Sequence, residues 1–495
     1  MSQPASDPLP PAPYLVLGCA RAGVSAAEAL ATRVAPSKIR LWDGNDGSET
    51  RRRRARLASL GVEVELGPWR REALLGSPAG AVIKSPGVPA ESEPVREALA
   101  LGLPVLDELE LGRRLSRRRL IAVTGTDGKS TVCALLAHAL GGEDGPLPVA
   151  GNTEFGSPLT ALAVEGGPAV IETSSYQLEF CGEPFAELAV LTNLSAEHLH
   201  RHHTMSAYGA AKRRLFIGAA QTVALAVVNV DSAFGRQLAQ DLRAAGSTVA
   251  TFGSTEHAQY RVLDARWDAA TARVQLGTPS GEGLELVTRL PGWHNAENVA
   301  AALAVSDLLG VARAGSLRAL ETMPGVPGRW ERVDCDQPFD LVVDFAHTVA
   351  GLRQALLTAR DVVGARGTAV HLVLCAGGAN NPGKRRPLGA LASELADRVV
   401  VTEGNGRGEP PEQVIAALLS GWREDRRMPE IVSDRRAAIH QAIRGALPGD
   451  IVVIVGRGAM PILLADRSGG GEPFDDRLVA REELISIAPE LMLGR

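Results

Sequence analysis

Short apolar runs of strand length alternate with amphipathic, helix-like stretches along most of the 495-residue chain. They form three series. The first comprises YLVLG (14–18), KIRLWD (38–43) and GAVIKSPG (80–87). The second comprises LIAVTG (120–125), AVIETSS (169–175), LAVLTNLS (188–195) and VALAVVNVD (223–231). The third comprises FDLVVDFAH (339–347), VHLVLCAGG (370–378), RVVVTEG (398–404) and DIVVIVGRG (450–458). Apolar strands alternating with helices predict an α/β protein with mainly parallel sheets.

The length of the chain and two candidate boundary segments predict three domains. One hydrophobic core does not usually extend over so many residues. The segments SRRRLIAV (116–123) and PGVPGRW (324–330) mark the candidate boundaries. We therefore expect a Rossmann-like domain at 1–112, a central domain with a mainly parallel sheet at 113–325, and a second Rossmann-like domain at 326–495.

Composition and charge exclude several classes of protein. The net charge of −5 and the pI near 6.1 give no basic footprint for nucleic acid. No apolar run reaches the roughly 18 residues that span a bilayer, and no positive segment precedes the first apolar run as in a signal peptide. The five cysteines are odd in number and widely spaced, which favours reduced thiols. We expect a cytoplasmic protein that binds neither nucleic acid nor membrane.

The most specific chemical signal is LIAVTGTDGKSTVCALLAHAL (120–140). A buried-strand run is followed by a glycine-rich turn, and a lysine and two hydroxyl residues then open a helix. This context is typical of a loop whose backbone N–H groups bind nucleotide phosphates, with a hydroxyl available to Mg²⁺. The predicted phosphate-binding residues are Gly125, Thr126, Asp127, Gly128, Lys129, Ser130 and Thr131.

Lysine is scarce in this chain, which has five lysines beside 47 arginines. Only an ammonium can lose its proton and become a nucleophilic amine, so each lysine is a candidate for chemistry. Lys212 follows two stretches that carry Glu172 and His198 near predicted strand ends. Taken singly, Glu172 is equally suited to cap a helix, His198 to lie in a surface loop and Lys212 to pair with a carboxylate.

Seven motifs together resemble the Mur ligase family, the ATP-dependent amino-acid-adding enzymes of peptidoglycan synthesis and cell-wall biogenesis. They occur in the order and approximate spacing of that family over nearly the whole chain. The motifs are GTDGKST (125–131), GNTEFGSPL (151–159), IETSSYQLE (171–179), LTNLSAEHLHRH (191–202), YGAAKRRLF (208–216), GWHNAENVAAALA (292–304) and PGVPGRWE (324–331). The resemblance implies a ligase in which ATP converts a substrate carboxylate into an acyl phosphate, which an amine then attacks.

The resemblance also implies two Mg²⁺ ions and a modified lysine. The family residue matching Lys212 is carbamylated by CO₂, which turns an amine into an anionic oxygen ligand. An arginine cannot undergo this reaction, because its guanidinium stays protonated. The implied metal ligands are Ser130, Glu172, His198 and carbamylated Lys212, and Lys129, Glu172, His198 and Lys212 are the implied catalytic residues. Mg²⁺ prefers oxygen ligands, so the imidazole of His198 is a less suitable ligand than the other three.

Further nucleotide and substrate contacts follow from the same resemblance. ATP contacts are implied at Asn295, Asn298, Arg329 and Asp344, the last two from the third domain, which implies domain closure. The first domain resembles the uridine-binding domain of the family member that adds D-glutamate. The implied contacts with the UDP-substrate are Gly18, Arg21, Ala22, Gly23, Asp43, Ser85, Gly87 and Asn152.

The third domain resembles the member that adds a diamino acid, but it departs from that member's pattern. The stretch that would carry an acid, 404–407, is Gly-Asn-Gly-Arg, and Met460 stands where a glutamate would meet the distal ammonium. Loss of both acids, with Arg407 retained to grip a carboxylate, favours a dicarboxylic amino acid. Thr348 and Lys384 are candidates for the other carboxylate.

The expectation from sequence is therefore a monomeric ligase that adds D-glutamate to UDP-N-acetylmuramoyl-L-alanine with ATP, two Mg²⁺ ions and carbamylated Lys212. The alternatives are the diamino-acid-adding activity, a relative such as a folylpolyglutamate synthase, a ligase for L-glutamate, and a nucleotide-binding scaffold without turnover. A UDP-sugar oxidoreductase is disfavoured because it would have no use for the phosphate loop.

Overall fold

The computed structural model describes residues 8–75, 79–162, 164–364, 366–377, 382–405, 408–464 and 471–493. Three large sheets follow one another along the chain, each covered by helices. This confirms the predicted α/β class. The sheets draw their strands from residues 14–107, 120–288 and 331–455. The domain boundaries near 112 and 325 stay predictions.

The first sheet is wholly parallel, with strand order β3-β2-β1-β4-β5. Its strands are β1 (Tyr14–Leu17), β2 (Ile39–Asp43), β3 (Glu63–Leu66), β4 (Ala81–Lys84) and β5 (Val105–Asp107). The helices are α1 (Arg21–Ala31), α2 (Ser48–Ser59), α3 (Glu72–Leu75), α4 (Glu93–Ala100) and α5 (Glu108–Leu115), with a 3₁₀ turn at Pro36–Lys38. Alternate β1 residues enter two separate apolar clusters, because successive side chains point to opposite faces of a sheet.

The second sheet has nine strands, in the order β14-β13-β12-β11-β10-β9-β6-β8-β7. Its strands are β6 (Leu120–Thr124), β7 (Val149–Gly151), β8 (Ala169–Glu172), β9 (Leu188–Leu191), β10 (Leu225–Asn229), β11 (Thr248–Gly253), β12 (Tyr260–Trp267), β13 (Ala272–Gly277) and β14 (Gly283–Thr288). Its helices are α6 (Lys129–Gly141), α7 (Ser175–Leu178), α8 (Leu199–His202), α9 (Met205–Arg213), α10 (Ala233–Ala244), α11 (Trp293–Leu308) and α12 (Arg313–Thr322). Short 3₁₀ turns lie at Gly142–Asp144 and Leu159–Ala161.

The edge of this sheet departs from the prediction. β12, β13 and β14 form an antiparallel meander, whereas the other strands are parallel. These three strands alternate buried and exposed residues over much of their length, unlike the continuous apolar runs that were recognised as strands. A search for apolar runs therefore missed them.

The third sheet has six strands, in the order β15-β16-β20-β17-β18-β19, and only its edge strand β15 is antiparallel. The strands are β15 (Glu331–Arg332), β16 (Asp340–Asp344), β17 (Val370–Leu374), β18 (Arg398–Val401), β19 (Glu430–Ile431) and β20 (Ile451–Val455), beside a hairpin of β21 (Ile462–Leu464) and β22 (Gly471–Pro473). The helices are α13 (Val349–Gly364), α14 (Arg385–Leu395), α15 (Pro411–Leu419), α16 (Arg435–Arg444) and α17 (Asp476–Leu493), with a 3₁₀ turn at Pro382–Lys384.

Within the described part of the chain, no helix is both long and apolar enough to cross a membrane. In the second sheet, β6 lies between β8 and β9, and all three run in the same direction. Their carboxyl ends therefore meet at one edge of the sheet, where ligands bind in open α/β folds. The phosphate loop follows β6 at that edge.

Candidate active site

A cleft of about 740 Å³ opens at this edge and is lined by residues from all three sheet regions. The first region contributes Arg21, Ala22 and Pro86. The second contributes the phosphate loop with the ends of β7, β8 and β9, and the third contributes residues 344–355. The structure therefore places parts of all three regions around the phosphate loop.

The phosphate loop has a conformation that requires glycine. Gly125 and Gly128 have φ values of +151° and +80°. A Cβ at Gly125 would lie 1.9 Å from Thr192 Oγ1, and one at Gly128 would lie 2.6 Å from Asn298 Oδ1. Lys129 Nζ donates to the Thr126 carbonyl at 2.6 Å, so the ammonium lies over its own loop. The loop lies between β6 and α6, and its contacts with nucleotide phosphates stay a prediction.

A chain of hydrogen bonds leads from the phosphate loop to the neighbouring strand ends. Ser130 Oγ donates to Glu172 Oε2 at 2.7 Å, and Asn152 Nδ2 donates to the other Glu172 oxygen at 3.4 Å. Arg329 Nη2 donates to Ser130 Oγ at 3.2 Å, and its guanidinium lies 4.1 Å from the centre of the Phe345 ring. The third region thus contacts the phosphate loop directly.

These groups fit Mg²⁺. No cluster of three or more His, Cys, Asp or Glu side chains among the described residues could hold a metal alone. Mg²⁺, however, commonly takes one or two protein oxygens and completes its shell with water and substrate phosphates. The adjoining oxygens of Ser130 and Glu172, beside a phosphate loop, are such a set.

Lys212 lies next to the phosphate loop and is 1 % exposed. Its Nζ donates to the Gly125 carbonyl at 2.6 Å and lies 4.6 Å from the centre of the Tyr208 ring. Burial lowers the pKa of Lys212 well below its ordinary value, and the positive charge of Lys129 lowers it further. The negative charges of Asp127 and Glu172 act against this shift without cancelling it. Burial therefore shifts Lys212 toward the uncharged amine relative to an exposed lysine.

His198 has an unusual backbone conformation and an uncharged ring. Its φ of +58° lies in the left-handed region, just before α8. Its Nδ1 lies 2.8 Å from the Tyr176 hydroxyl, and burial lowers the pKa of His198 to about 2. His200 also contacts the Tyr176 hydroxyl, at 3.2 Å, and His202 contacts Ser175 Oγ at 2.9 Å.

The predicted adenine contacts lie at the start of α11, on the cleft. Asn295 Nδ2 donates to the Pro291 carbonyl at 2.7 Å, and Asn298 Nδ2 donates to Asn295 Oδ1 at 3.1 Å. Asp344 accepts from the backbone N–H groups of Trp330 and Ala346, both at 2.7 Å. Asp344 therefore also shapes the loop that carries Arg329.

The two residues expected to hold a second carboxylate are already engaged with acidic groups. Thr348 Oγ1 donates to Asp127 Oδ1 at 3.0 Å. Lys384 Nζ lies 3.5 Å from Glu197 Oε1, and both side chains are largely buried. These contacts connect the third region to the central region, and in this arrangement Glu197 offsets the charge of Lys384.

The predicted amino-acid loop is described only in part, because Arg407 lies outside the described residues. Asn405 Oδ1 accepts from Arg457 Nη1 at 2.5 Å, and its Nδ2 lies 3.6 Å from the Met460 sulfur. Arg457 is 1 % exposed and lies 3.6 Å from Asp476. A hydrogen bond from the buried Arg457 therefore fixes the position of the Asn405 side chain.

In the first region, the glycine loop is closely packed. A Cβ at Gly23 would lie 1.8 Å from the Gly18 carbonyl oxygen, and Gly18 has a φ of +97°. Asp43 Oδ2 accepts from the Cys19 N–H at 2.6 Å, and Ser85 Oγ donates to the Gly18 carbonyl at 3.3 Å. A Cβ at Gly87 would meet no atom within 4 Å. The predicted UDP contacts at Arg21 and Ala22 line the cleft, whereas Gly18, Gly23, Asp43, Ser85 and Gly87 are not among its lining residues.

Four acidic residues on the cleft were not predicted as site residues: Glu108, Glu154, Glu197 and Glu297. Glu154 lies 3.6 Å from Arg329. Glu108 and Glu297 are buried, and burial raises the pKa of each to about 7. Glu154 was visible in the sequence only as a departure from the small apolar pair that usually follows the asparagine of this motif. Nothing in the sequence marked Glu108 or Glu297.

A phosphate-binding loop, a neighbouring carboxylate and an arginine from another region define a nucleotide-dependent enzyme. The models of the Mur ligase middle domain and of the Mur ligase, glutamate ligase domain match residues 123–306 and 328–458. The chain belongs to the Mur ligase family, whose members are ATP- and Mg²⁺-dependent ligases of peptidoglycan synthesis.

Curated relatives and solved structures are similar over most of the chain. The UDP-N-acetylmuramoyl-L-alanyl-D-glutamate–2,6-diaminopimelate ligase of Thermosynechococcus vestitus is 34 % identical over 461 residues, 86 % of this chain and 89 % of that protein. The ligase of the same name from Synechocystis sp. is 36 % identical over 397 residues, 74 % and 76 % of the two chains. A solved structure of a ligase of this name has a TM-score of 0.53 and 26 % identity, covering 92 % of this chain and 94 % of the other.

A second solved structure supports the fold alone. The UDP-N-acetylmuramate–alanine ligase of Thermotoga maritima has a TM-score of 0.57 at 20 % identity, covering 97 % of this chain and all of the other. Similarity of fold at this identity does not extend to the amino acid that is added.

The comparisons correct the predicted reaction. The relatives are named for the addition of diaminopimelate, so the prediction of D-glutamate and UDP-N-acetylmuramoyl-L-alanine as substrates, and of a D-glutamate-adding ligase, is wrong. The likeness of the first domain to the D-glutamate-adding member is likewise unsupported. The physical reason lies in the cleft: Lys384, expected to bind the second carboxylate of glutamate, pairs with Glu197, and Glu154 adds a negative charge.

Proposed function

We propose that the chain is an ATP-dependent ligase that joins a diamino acid of the 2,6-diaminopimelate class to UDP-N-acetylmuramoyl-L-alanyl-D-glutamate. The observation that carries the proposal is the run of contacts from Arg329 through Ser130 and Glu172 to Asn152. It connects the nucleotide loop to the loop after β7, where the resemblance places the UDP-substrate. The choice of substrates is supported by relatives that are at least 34 % identical and share most of their length with this chain.

In the proposed reaction, the acceptor carboxylate attacks the γ-phosphate of ATP and forms an acyl phosphate. The amine of the incoming amino acid then attacks the acyl carbon, and inorganic phosphate leaves. Lys129 and Arg329 supply fixed positive charge to the transferring phosphoryl group, and the N-terminus of α6 presents backbone N–H groups. Mg²⁺, which Ser130 and Glu172 would hold, supplies further positive charge to the same oxygens.

Carbamylation of Lys212 is a second part of the proposal. An uncharged amine attacks the carbon of CO₂, one proton leaves, and the product is an anionic carbamate. The buried amine, whose pKa is lowered, is suited to this step, and its hydrogen bond to the Gly125 carbonyl supports a carbamate beside the phosphate loop. His198 and the adenine contacts at Asn295 and Asn298 keep their predicted roles as part of this proposal.

The proposal is tested by phosphate release from Mg-ATP in two reactions. One contains UDP-N-acetylmuramoyl-L-alanyl-D-glutamate with diaminopimelate, ornithine or lysine, and the other contains UDP-N-acetylmuramoyl-L-alanine with D-glutamate. We expect turnover in the first reaction only. No turnover in either reaction would favour a nucleotide-binding scaffold, and turnover in the second alone would contradict the proposal. Lys129→Ala serves as the inactive control.

A further inference from the structure

Glu154 lies at the tip of a short loop that the structure holds at both ends. The Gly151 N–H donates to the Ser157 carbonyl at 2.8 Å, and the Asn152 N–H donates to the Glu172 carbonyl at 2.9 Å. Arg21 Nη2 donates to the Gly156 carbonyl at 2.6 Å, which ties the loop to the first region. The loop therefore presents Glu154 to the cleft from a defined position beside Glu172.

The contacts of the Glu154 carboxylate leave it accessible from the cleft. Glu154 Oε2 lies 3.6 Å from Arg329 Nη2, which is longer than a hydrogen bond, and one third of its side chain is exposed. The same Arg329 nitrogen donates to Ser130 Oγ. Burial raises the pKa of Glu154. The charges of Arg329 and Lys129 lower it, and that of Glu172 raises it.

The second half of the proposed reaction needs a group that takes a proton. A free amino acid carries an ammonium near neutral pH, and an ammonium has no lone pair with which to attack an acyl carbon. A carboxylate facing the cleft can bind the ammonium by charge and then accept its proton. Neither Lys129 nor Arg329 can do this, because both are cationic.

Resting on the proposed function, we propose that Glu154 binds the ammonium group of the incoming amino acid and accepts one of its protons as the amide bond forms. The amine nitrogen then forms a bond to the acyl carbon, and the bond from that carbon to the phosphate oxygen breaks. The phosphate leaves with the electron pair and carries away the second surplus proton of the nitrogen.

This role bears on the choice of amino acid. The sequence at 404–407 and at Met460 offers no acid for a substrate ammonium, but Glu154 supplies a carboxyl group on the cleft. Glutamate carries the same reacting ammonium as a diamino acid, but a negative charge at this point repels its anionic side chain more than the net neutral side chain of diaminopimelate. Glu154 therefore favours a diamino acid over glutamate.

The test compares Glu154→Gln with Glu165→Gln, a matched change at a glutamate whose side chain is 77 % exposed. Each protein is assayed for ligation of diaminopimelate and, separately, for hydroxamate formation with hydroxylamine, which is a largely uncharged nucleophile near neutral pH. We expect Glu154→Gln to lower kcat/KM for the amino acid by about 100-fold or more, because a general base contributes about that factor. Hydroxamate formation should change by less than about threefold, since a neutral nucleophile has no ammonium to be bound or deprotonated.

Other outcomes overturn the inference. An equal loss in both assays, with a raised KM for ATP, would mean that Glu154 acts only by positioning Arg329. Unchanged ligation would mean that it has no role. The wild-type protein is assayed first: if it does not ligate a diamino acid, the proposed function itself fails and the inference fails with it. If the wild type ligates and Glu154→Gln does so equally well, only the inference fails.

Discussion

Two walls of the cleft use their polar side chains differently. The central wall, residues 124–131, 172 and 212, bonds mostly within itself: Ser130 donates to Glu172, and Lys212 donates to the Gly125 carbonyl. In the third wall, residues 329–348 and 384, Asp344 bonds within the wall, but Arg329, Thr348 and Lys384 bond to the central region. The arrangement of the central wall is therefore set by its own local structure, whereas that of the third wall also depends on how the regions are assembled.

The difference between the two walls explains why the amino-acid specificity was predicted wrongly. A motif confined to one loop has a geometry that does not depend on the arrangement of the neighbouring domains. A pocket built between walls takes charges from both, so Glu154 and Glu197 of the central region contribute to a pocket whose specificity was predicted from the third region alone.

Lys129→Ala should lower kcat for phosphate release by at least about 1000-fold, because it removes a fixed positive charge from the transferring phosphoryl group. The fold should persist, since the Lys129 ammonium contacts only the carbonyl of Thr126 among the described residues. Steady-state phosphate release and thermal unfolding would be measured together. Near-normal turnover in a folded variant would show that Lys129 of the central wall does not take part in phosphoryl transfer.

Lys212→Arg should lower kcat by about 100-fold or more, because a guanidinium cannot form a carbamate. Lys38→Arg, at an exposed lysine, is the matched control and should be silent. Since burial makes Lys212→Arg a risk to folding, Lys212→Ala would also be assayed with added short-chain carboxylates. Recovery of activity would support the carbamate, whereas normal activity in Lys212→Arg would refute it.

Gly23→Ala should lower the free energy of unfolding by about 3 kcal/mol or more, because its Cβ would lie 1.8 Å from the Gly18 carbonyl oxygen. Gly87→Ala is the matched control, since a Cβ there meets nothing within 4 Å, and it should change stability by less than about 0.5 kcal/mol. Urea unfolding measures both. Equal stability of the two variants would show that the glycine loop of the first region is not packed as described.

Glu108→Gln should change the pH dependence of stability. Glu108 is 1 % exposed and accepts from the N–H and hydroxyl of Thr160; burial raises its pKa from 4.5 to about 7. A raised carboxyl pKa contributes stability that is complete below pH 4.5 and is lost as pH rises to about 7. Over this pH range, the free energy of unfolding of the variant should therefore rise relative to that of the wild type, by at most about 3 kcal/mol.

The melting temperature of Glu108→Gln relative to that of the wild type should rise between pH 4.5 and about 7. Glu297→Gln gives a comparison, because burial also raises the pKa of Glu297 to about 7. A difference between Glu108→Gln and wild type that does not vary with pH would contradict the assignment.

Much of the fold, and the strand, loop and helix that carry the candidate nucleotide site, could be predicted from sequence for physical reasons. Continuous apolar runs marked the buried parallel strands, and the scarcity of lysine drew attention to Lys129 and Lys212. The antiparallel strands β12 to β14 were missed because their side chains alternate between burial and exposure. The added amino acid was predicted wrongly because the prediction weighed only the charges of the third region, whereas Glu154 and Glu197 of the central region also line the cleft.

One competition reaction distinguishes the two possible pairs of substrates. The wild-type protein, Mg-ATP, UDP-N-acetylmuramoyl-L-alanine, UDP-N-acetylmuramoyl-L-alanyl-D-glutamate, D-glutamate and diaminopimelate are mixed, and the products are identified by mass. The account predicts that diaminopimelate is joined to the acceptor that already carries D-glutamate. A product in which D-glutamate is joined to UDP-N-acetylmuramoyl-L-alanine, with no diaminopimelate incorporated, would contradict it.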